Sequence, residues 1–286
     1  MEKSIIWRGI LAGAIGGLLA FLFARVFAEP QIQQAIDYES ARDAAQQTLD
    51  KAAGLPVESE GMDVFSRTVQ ANIGIGVALI LFGAAMGGLF AVAYMLYLGR
   101  SGRLRPRTLA LLVAGGGFFG MYLVPFVKYP ANPPAIGHAD TIQLRSSFYL
   151  LMVAASVLFL VLTVWLGKRL QPRFGTWNAT LIAGAVFIAA TAVVMLVLPS
   201  FGELAANKSY HQATETPAPL TDASGKIVFP GFPADLLFNF RLYSIGAQLV
   251  LWGALGLVFA PLAERLLGEP ATRRRARATE PAAVSG

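Results

Sequence analysis

Six apolar stretches punctuate the chain, at residues 5–28, 73–98, 108–127, 148–166, 179–198 and 242–262, and nearly all of its charge lies between them. Each is close to the ~20 mainly apolar residues that a helix needs to cross ~30 Å of hydrocarbon while satisfying its own backbone hydrogen bonds. The pattern predicts an all-α polytopic membrane protein, a bundle of six transmembrane helices. Apart from Arg8, which belongs with the N-terminal flank, and Arg25 near the far end of the first stretch, the six carry no Asp, Glu, Lys, Arg or His. One more helix is predicted outside the hydrocarbon: residues 31–53 carry Ile32, Ile36 and Leu49 among acids and amides, and stop at Gly54 and Pro56.

Charge assigns the sides. The N-terminus, residues 99–107, residues 167–178 and the C-terminal tail are rich in Lys and Arg, with Arg100, Arg103, Arg105 and Arg107 in one short loop and Lys168, Arg169 and Arg173 in another. The other loops, at 29–72, 128–147 and 199–241, carry an excess of acids. The positive-inside rule places the basic set, and with it both termini, in the cytoplasm, which an even number of spans requires. Lys3 and Arg8 before the first apolar run, with Val26-Phe27-Ala28 after it, resemble a cleavable signal; the run exceeds a signal core and supplies the sixth span, so it is retained.

Composition leaves little for a second domain: 55% of the 286 residues are hydrophobic and 14% charged. Residues 1–267 read as the membrane domain and 268–286 as a disordered basic cytoplasmic tail. The run Arg273, Arg274, Arg275 and Arg277 beside a membrane helix suits anionic lipid headgroups rather than nucleic acid. The absence of cysteine excludes disulfides and thiolate metal sites. Gly9, Gly13 and Gly17, Gly83 and Gly87, and Gly116 and Gly120 recur every four residues, the spacing that lets helix backbones approach closely in lipid.

With the spans almost free of charge, chemistry falls to the outer face. The helix after the first span carries Asp37, Glu39, Asp43 and Asp50, followed by Glu58, Glu60 and Asp63, which can concentrate cations. Arg25 is expected to pair with Glu29 one turn on, or to reach outward to the interface. The Pro-rich segment 128–140 predicts an ordered cap over the helix ends and holds His138 and Asp140; His211 lies in the third outer loop with Glu215 four residues on, so a joint imidazole–carboxylate metal site is conceivable beside the reading of two unrelated surface histidines. Asp235 stands where the last helix starts, and Arg241, Ser244 and Gln248 form one polar stripe on it. A cation crossing the membrane must use neutral groups such as Asn72, Tyr94, Ser156, Thr163, Ser244 and Gln248, methionine sulfurs, or opened backbone carbonyls.

Three segments carry a family resemblance: Glu29-Pro-Gln-Ile-Gln-Gln-Ala-Ile-Asp-Tyr-Glu39, Pro125-Phe-Val-Lys128-Tyr-Pro-Ala-Asn132-Pro-Pro134, and Phe232-Pro-Ala-Asp235-Leu-Leu-Phe-Asn-Phe-Arg241 with Ser244, Gln248 and Trp252. In these the chain resembles the CbtA family of proposed cobalt transporter subunits. The resemblance implies a cobalt role and a small partner, CbtB, with one span and a histidine-rich end. Many similar proteins carry a histidine-rich stretch after the first span, whereas residues 31–71 here hold no histidine. The family is often described with about five spans, against six counted here.

The reading that follows is an integral cytoplasmic-membrane component of a divalent transition-metal transporter, cobalt first, in a prokaryote, working with a small CbtB-like subunit. Glu29, Asp37, Glu39, His138 and Asp140 are its candidate metal ligands; Lys128, Asn132, Asp235, Arg241, Ser244 and Gln248 are its gating or structural positions. The metal is cargo and no cofactor is expected. The chain shows no nucleotide-binding loop and no arrangement of catalytic residues, so it is not read as an enzyme. The alternative is a non-transporting accessory or assembly protein of a larger membrane complex, which the lack of ionisable residues within the spans favours.

Overall fold

The computed structural model describes residues 2–56, 66–100, 102, 104–205, 207 and 215–267. The expected tail at 268–286, His211, and the acids Glu58, Glu60 and Asp63 lie outside the described residues.

Among the described residues, five continuous helical stretches are long and apolar enough to cross a membrane: Glu2–Phe27, Arg67–Tyr97, Pro106–Lys128, Ala139–Glu203 and Ala234–Leu267. We label Glu2–Phe27 α1, the loop-face helix Glu29–Ala52 α2, Arg67–Tyr97 α3 and Pro106–Lys128 α4. The next helix, Ile142–Val197, has 56 residues. Built straight it would be ~84 Å long at 1.5 Å per residue, nearly three times the hydrocarbon thickness. It is not straight. Gly175 takes φ 74° and ψ 166°, a conformation that costs glycine little and an L side chain much, and the chain turns back there. A Cβ at Gly167 would sit 3.7 Å from the Cβ of Ala183, although sixteen residues along one helix would separate them by ~24 Å. The two arms, 142–174 (α5) and 176–197 (α6), form an antiparallel hairpin whose Met152, Phe187 and Leu198 share one cluster. The last helix, Ala234–Leu267, is α7.

Two differences from the sequence expectation have a physical cause. The segment 167–178 was expected as a basic loop, yet Lys168, Arg169 and Arg173 continue α5 and the break narrows to Gly175; long cationic stems hold helical backbone while their heads reach water. The final helix starts eight residues before the apolar run at 242, because Leu236 and Phe232 are buried against α2. Within the third loop, Leu220–Thr221 and Ile227–Phe229 pair as a short antiparallel ribbon not foreseen from the pattern.

The main core joins α1, α3, α4 and α7. Ile5, Ala12 and Ala20 meet Phe90 and Tyr94 of α3, Ala110 and Ala114 of α4, and Leu251, Leu255 and Phe259 of α7. Phe259 packs edge-on to both Phe90 and Tyr94, at 4.9 and 5.1 Å between centroids. The glycine rows of α1 and α3 face each other: Gly9 and Gly13 against Gly83 and Gly87, and Gly17 against Leu79 and Gly83. This is the close-approach packing expected of small residues in lipid. The periphery is apolar, with Leu196 85% and Trp177 74% exposed, an arrangement that lipid stabilises and water would penalise.

Candidate functional site

The polar chemistry gathers at one end of the bundle, where α2 lies across the helix ends. Its Ala35 and Tyr38 pack on Ile136 of the Pro-rich loop and on Phe232 and Leu236 at the start of α7. The Tyr38 hydroxyl donates to the Pro230 carbonyl at 3.0 Å. The predicted cap is therefore real, and Ile136, Tyr129 and Pro133 are buried in it.

Between α2 and the first turns of α7 opens a cavity of ≈ 490 Å³, lined by Gln31, Gln34, Asp37, Asp235 and Asn239, with Tyr38 on its wall. Sequence reasoning placed Asp37 among the ligands and Asp235 among the structural positions; the fold brings both carboxylates to one cavity. Gln33 donates to Asp37 Oδ1 at 2.8 Å, leaving the other carboxylate oxygen for the cavity. Every donor here is a carboxylate or an amide, a set that suits hard, hydrated cations. Asp235 in the first turn of α7 offsets the positive end of that helix, which alone would repel a cation.

The other expected ligands are placed differently. Glu29 is buried and its carboxylate is ion-paired to Arg67, which also donates to Gln33 Oε1 at 3.2 Å. The anticipated Arg25–Glu29 pair gives way to this one: Arg25 donates instead to Asn72 Oδ1 at 2.8 Å. Glu39 is exposed, and its carboxyl is pushed up by desolvation and then by Asp43 one turn on. A carboxyl held above its ordinary value binds its proton more readily folded than unfolded, so folded stability falls as pH rises through that range. Glu39→Gln is accordingly expected to raise the thermal midpoint at neutral pH, with an advantage that shrinks below about pH 4, where both side chains are neutral.

His138 is half-buried and Asp140 exposed, in the turn that leads into α5. The carbonyl of His138 accepts from Arg145 Nη2 at 3.3 Å, and the Thr141 hydroxyl lies 2.9 Å from that carbonyl and 2.6 Å from Glu215 Oε1. Asn207 Nδ2 donates to the same Glu215 oxygen at 3.0 Å, and Arg145 Nε stands 3.5 Å from Glu215 Oε2. The second and third loops thus meet, as the histidine pairing suggested, but the group that joins them is a buried Glu215 clamped by Arg145. A Cβ at Gly137, where φ is 113°, would sit 2.6 Å from Arg145 Cζ, so glycine there opens the guanidinium's route. Arg145 and Arg67 were not singled out in the sequence because each stands alone at a span boundary, where a cation is ordinary.

On the remaining positions, Arg241 donates to Asn132 Oδ1 at 2.8 Å and to the Ala131 carbonyl at 3.2 Å, tying α7 to the cap. Lys128 lies 5.7 Å from the centre of the Tyr129 ring. Ser244 donates back to the Phe240 carbonyl, and Gln248 is half-buried one turn further along α7. Among the described residues no three His, Asp or Glu side chains gather to cage a metal ion.

Membrane-crossing helices under a polar, acid-bearing end match a known family model over residues 2–264, from the start of α1 to the last turn of α7. The chain belongs to the CbtA family. That family is described as a probable cobalt transporter subunit. No curated protein and no solved structure matches the chain. The CbtA match includes every span-length helix and the whole α2–α7 cavity, so the family description applies to the described molecule as one unit.

Proposed function

We propose that this CbtA chain is the permease component of a divalent transition-metal transporter, with cobalt as first cargo and a small single-span subunit as partner. The α2–α7 cavity, with Asp37 and Asp235 on facing elements, is the observation that supports cation entry at this end. Its ≈ 490 Å³ exceeds the ~200 Å³ that an ion with six waters occupies at ~30 Å³ each. The cation enters hydrated, drawn by charge more than caged. In this reading α5 and α6 each cross the bilayer, giving six crossings, with both termini and the basic loops in the cytoplasm of a prokaryotic cell. The membrane potential then favours entry of a divalent ion by ~4.6 kcal/mol at 100 mV, enough to support uptake without a nucleotide-driven pump. Glu29 and Arg241 hold the entry in shape, while His138 and Asp140 are a second pair of donors on the neighbouring loop.

The test is cobalt uptake in cells lacking the protein, restored with wild type, with Asp37→Asn/Asp235→Asn, or with His138→Ala/Asp140→Ala. The Asp37/Asp235 variant is expected to raise the half-saturating cobalt concentration roughly tenfold at low salt, with a smaller effect at high ionic strength because steering is screened. The scarcity of charged residues inside the spans, Arg8 and Arg25 aside, favours the second reading, an accessory protein. Unchanged cobalt, nickel and zinc uptake on deletion, with copurification in fixed stoichiometry with a larger complex, would decide for it.

A further inference from the structure

Within the membrane, α4 carries a π-helical turn well inside its span, whereas the π turn of α3, Gln70–Gly74, lies near the start of that helix. Residues Phe118–Leu123 form a π-helical turn, with Pro125 two residues beyond it. Proline has no N–H and its ring crowds the carbonyl four residues back, so the carbonyl of Met121 loses its usual donor. The wider turn relieves that crowding by re-aiming the backbone. The carbonyl of Gly120 leaves the helix ladder and accepts from the hydroxyl of Ser156 on α5, itself fully buried, which also lies 3.0 Å from the Val153 carbonyl. One hydroxyl proton serves two carbonyls.

Two residues further along the same turn, the hydroxyl oxygen of Tyr122 is buried, and among the described residues no hydrogen-bond partner reaches it. Its ring lies between Phe118 and Phe126, at 6.0 and 5.4 Å between centroids. An unpaired polar group buried in a hydrocarbon setting costs on the order of 1–3 kcal/mol, which a phenylalanine would avoid. Such a cost at one position calls for a use.

The location gives one. The π turn lies at the seam between the two packed halves of the bundle: Phe118 and Met121 border the α1–α3–α4–α7 core, while Val124, just beyond, belongs to the cluster of the α5–α6 hairpin. Phe119 packs on Phe187 of α6 at 5.5 Å between centroids. Irregular backbone at membrane depth is tolerated where protein or a polar path surrounds it, and broken helices between packed halves supply the oxygens that bind ions in transporters.

We propose that the Phe118–Leu123 turn, with the Tyr122 hydroxyl and the carbonyls of Gly120 and Met121, is the intramembrane station of the transport path, where neutral oxygens replace part of the water shell of a divalent cation. The proposal rests on the permease reading. It adds a site that no charged residue marks, on spans whose lack of charge otherwise argues against a path.

The experiment compares Tyr122→Phe with wild type in cells deleted for the protein, measuring initial cobalt uptake against cobalt concentration, together with the thermal midpoint of the detergent-purified chain. The expected result is a maximal rate at least tenfold lower, a half-saturating concentration within twofold of wild type, and a midpoint equal to or above wild type, since the deleted hydroxyl has no partner to lose. Full uptake by Tyr122→Phe, while deletion abolishes uptake, overturns the station and leaves the permease reading standing. A lowered midpoint with lowered uptake also overturns it, because the hydroxyl is then structural. Uptake that does not depend on the protein at all removes both.

Discussion

Gly13→Leu is expected to abolish recovery of folded, monodisperse protein from membranes, whereas Gly116→Ala is expected to behave as wild type. A Cβ at Gly13 would overlap the Gly83 carbonyl and stand 2.8 Å from the Gly87 Cα, so what it meets is backbone on the facing helix rather than a side chain able to rotate. Relief requires α1 and α3 to separate along their whole shared length, opening the contacts at Gly9 and Gly17 as well. Overpacking costs typically 1–3 kcal/mol where side chains can yield; with rigid backbone on both sides, and dispersion the main force between helices in lipid, the cost should exceed ~4 kcal/mol. At Gly116 a Cβ meets only Leu160 Cδ2, at 3.6 Å, an ordinary contact. Size-exclusion profiles in mild detergent and thermal unfolding of the two variants check the contrast. Equal recovery of both would show that the glycine rows do not govern assembly.

The second large effect is expected at Arg145. Arg145→Met should lower stability by roughly 3 kcal/mol, the lower part of the range for removing one partner of a buried pair, since the Arg145 side chain keeps 22% of its exposure. Among the described residues, that leaves Thr141 and Asn207 to answer the charge of the Glu215 carboxylate, which is 2% exposed. Glu215→Gln should cost less, because an amide oxygen still accepts from Thr141 and Asn207 and no buried charge is stranded. The double variant should be less destabilised than the sum of the two, a coupling that a thermodynamic cycle on the purified protein measures. Additive effects would mean that the ion pair does not hold the third loop against α5. Arg145→Met is also expected to increase proteolysis of residues 199–233, because the two loops lose the contact that joins them.

How far the site was legible follows from how each residue earns its place. Asp37 was readable as a cation-attracting acid because it stands on an amphipathic helix beside a span, and charge on such a surface acts over several ångströms. Its convergence with Asp235 was not, since the two are separated by roughly two-thirds of the chain and meet where Tyr38 and Phe232 pack edge to face at 5.0 Å. Glu29 stood among the same acids, yet it is spent on Arg67, from the far end of the first loop. His138 and Glu215 were suspected of sharing a site, and their loops do meet, with Arg145 and Thr141 as the groups that close the contact. Tyr122 gave no signal of its own. Its significance depends on what fails to surround its hydroxyl, which a sequence does not record.

The sequence by itself determined the class of molecule, because hydrocarbon thickness and the cost of unsatisfied backbone convert a run of apolar residues directly into a helix of membrane length. It marked glycine faces on α1 and α3 that do meet backbone to backbone, while the same spacing on α4 at Gly116 and Gly120 meets the side chain of Leu160 instead. Only the tertiary structure decided that residues 142–197 fold back at Gly175, that Glu29 answers Arg67 rather than Arg25, and that two distant aspartates share one cavity. These are matters of partner choice. Spacing along a chain fixes which side chains share a face, but an ion pair or a cavity depends on distances between elements, and those are set by the packing of the whole bundle.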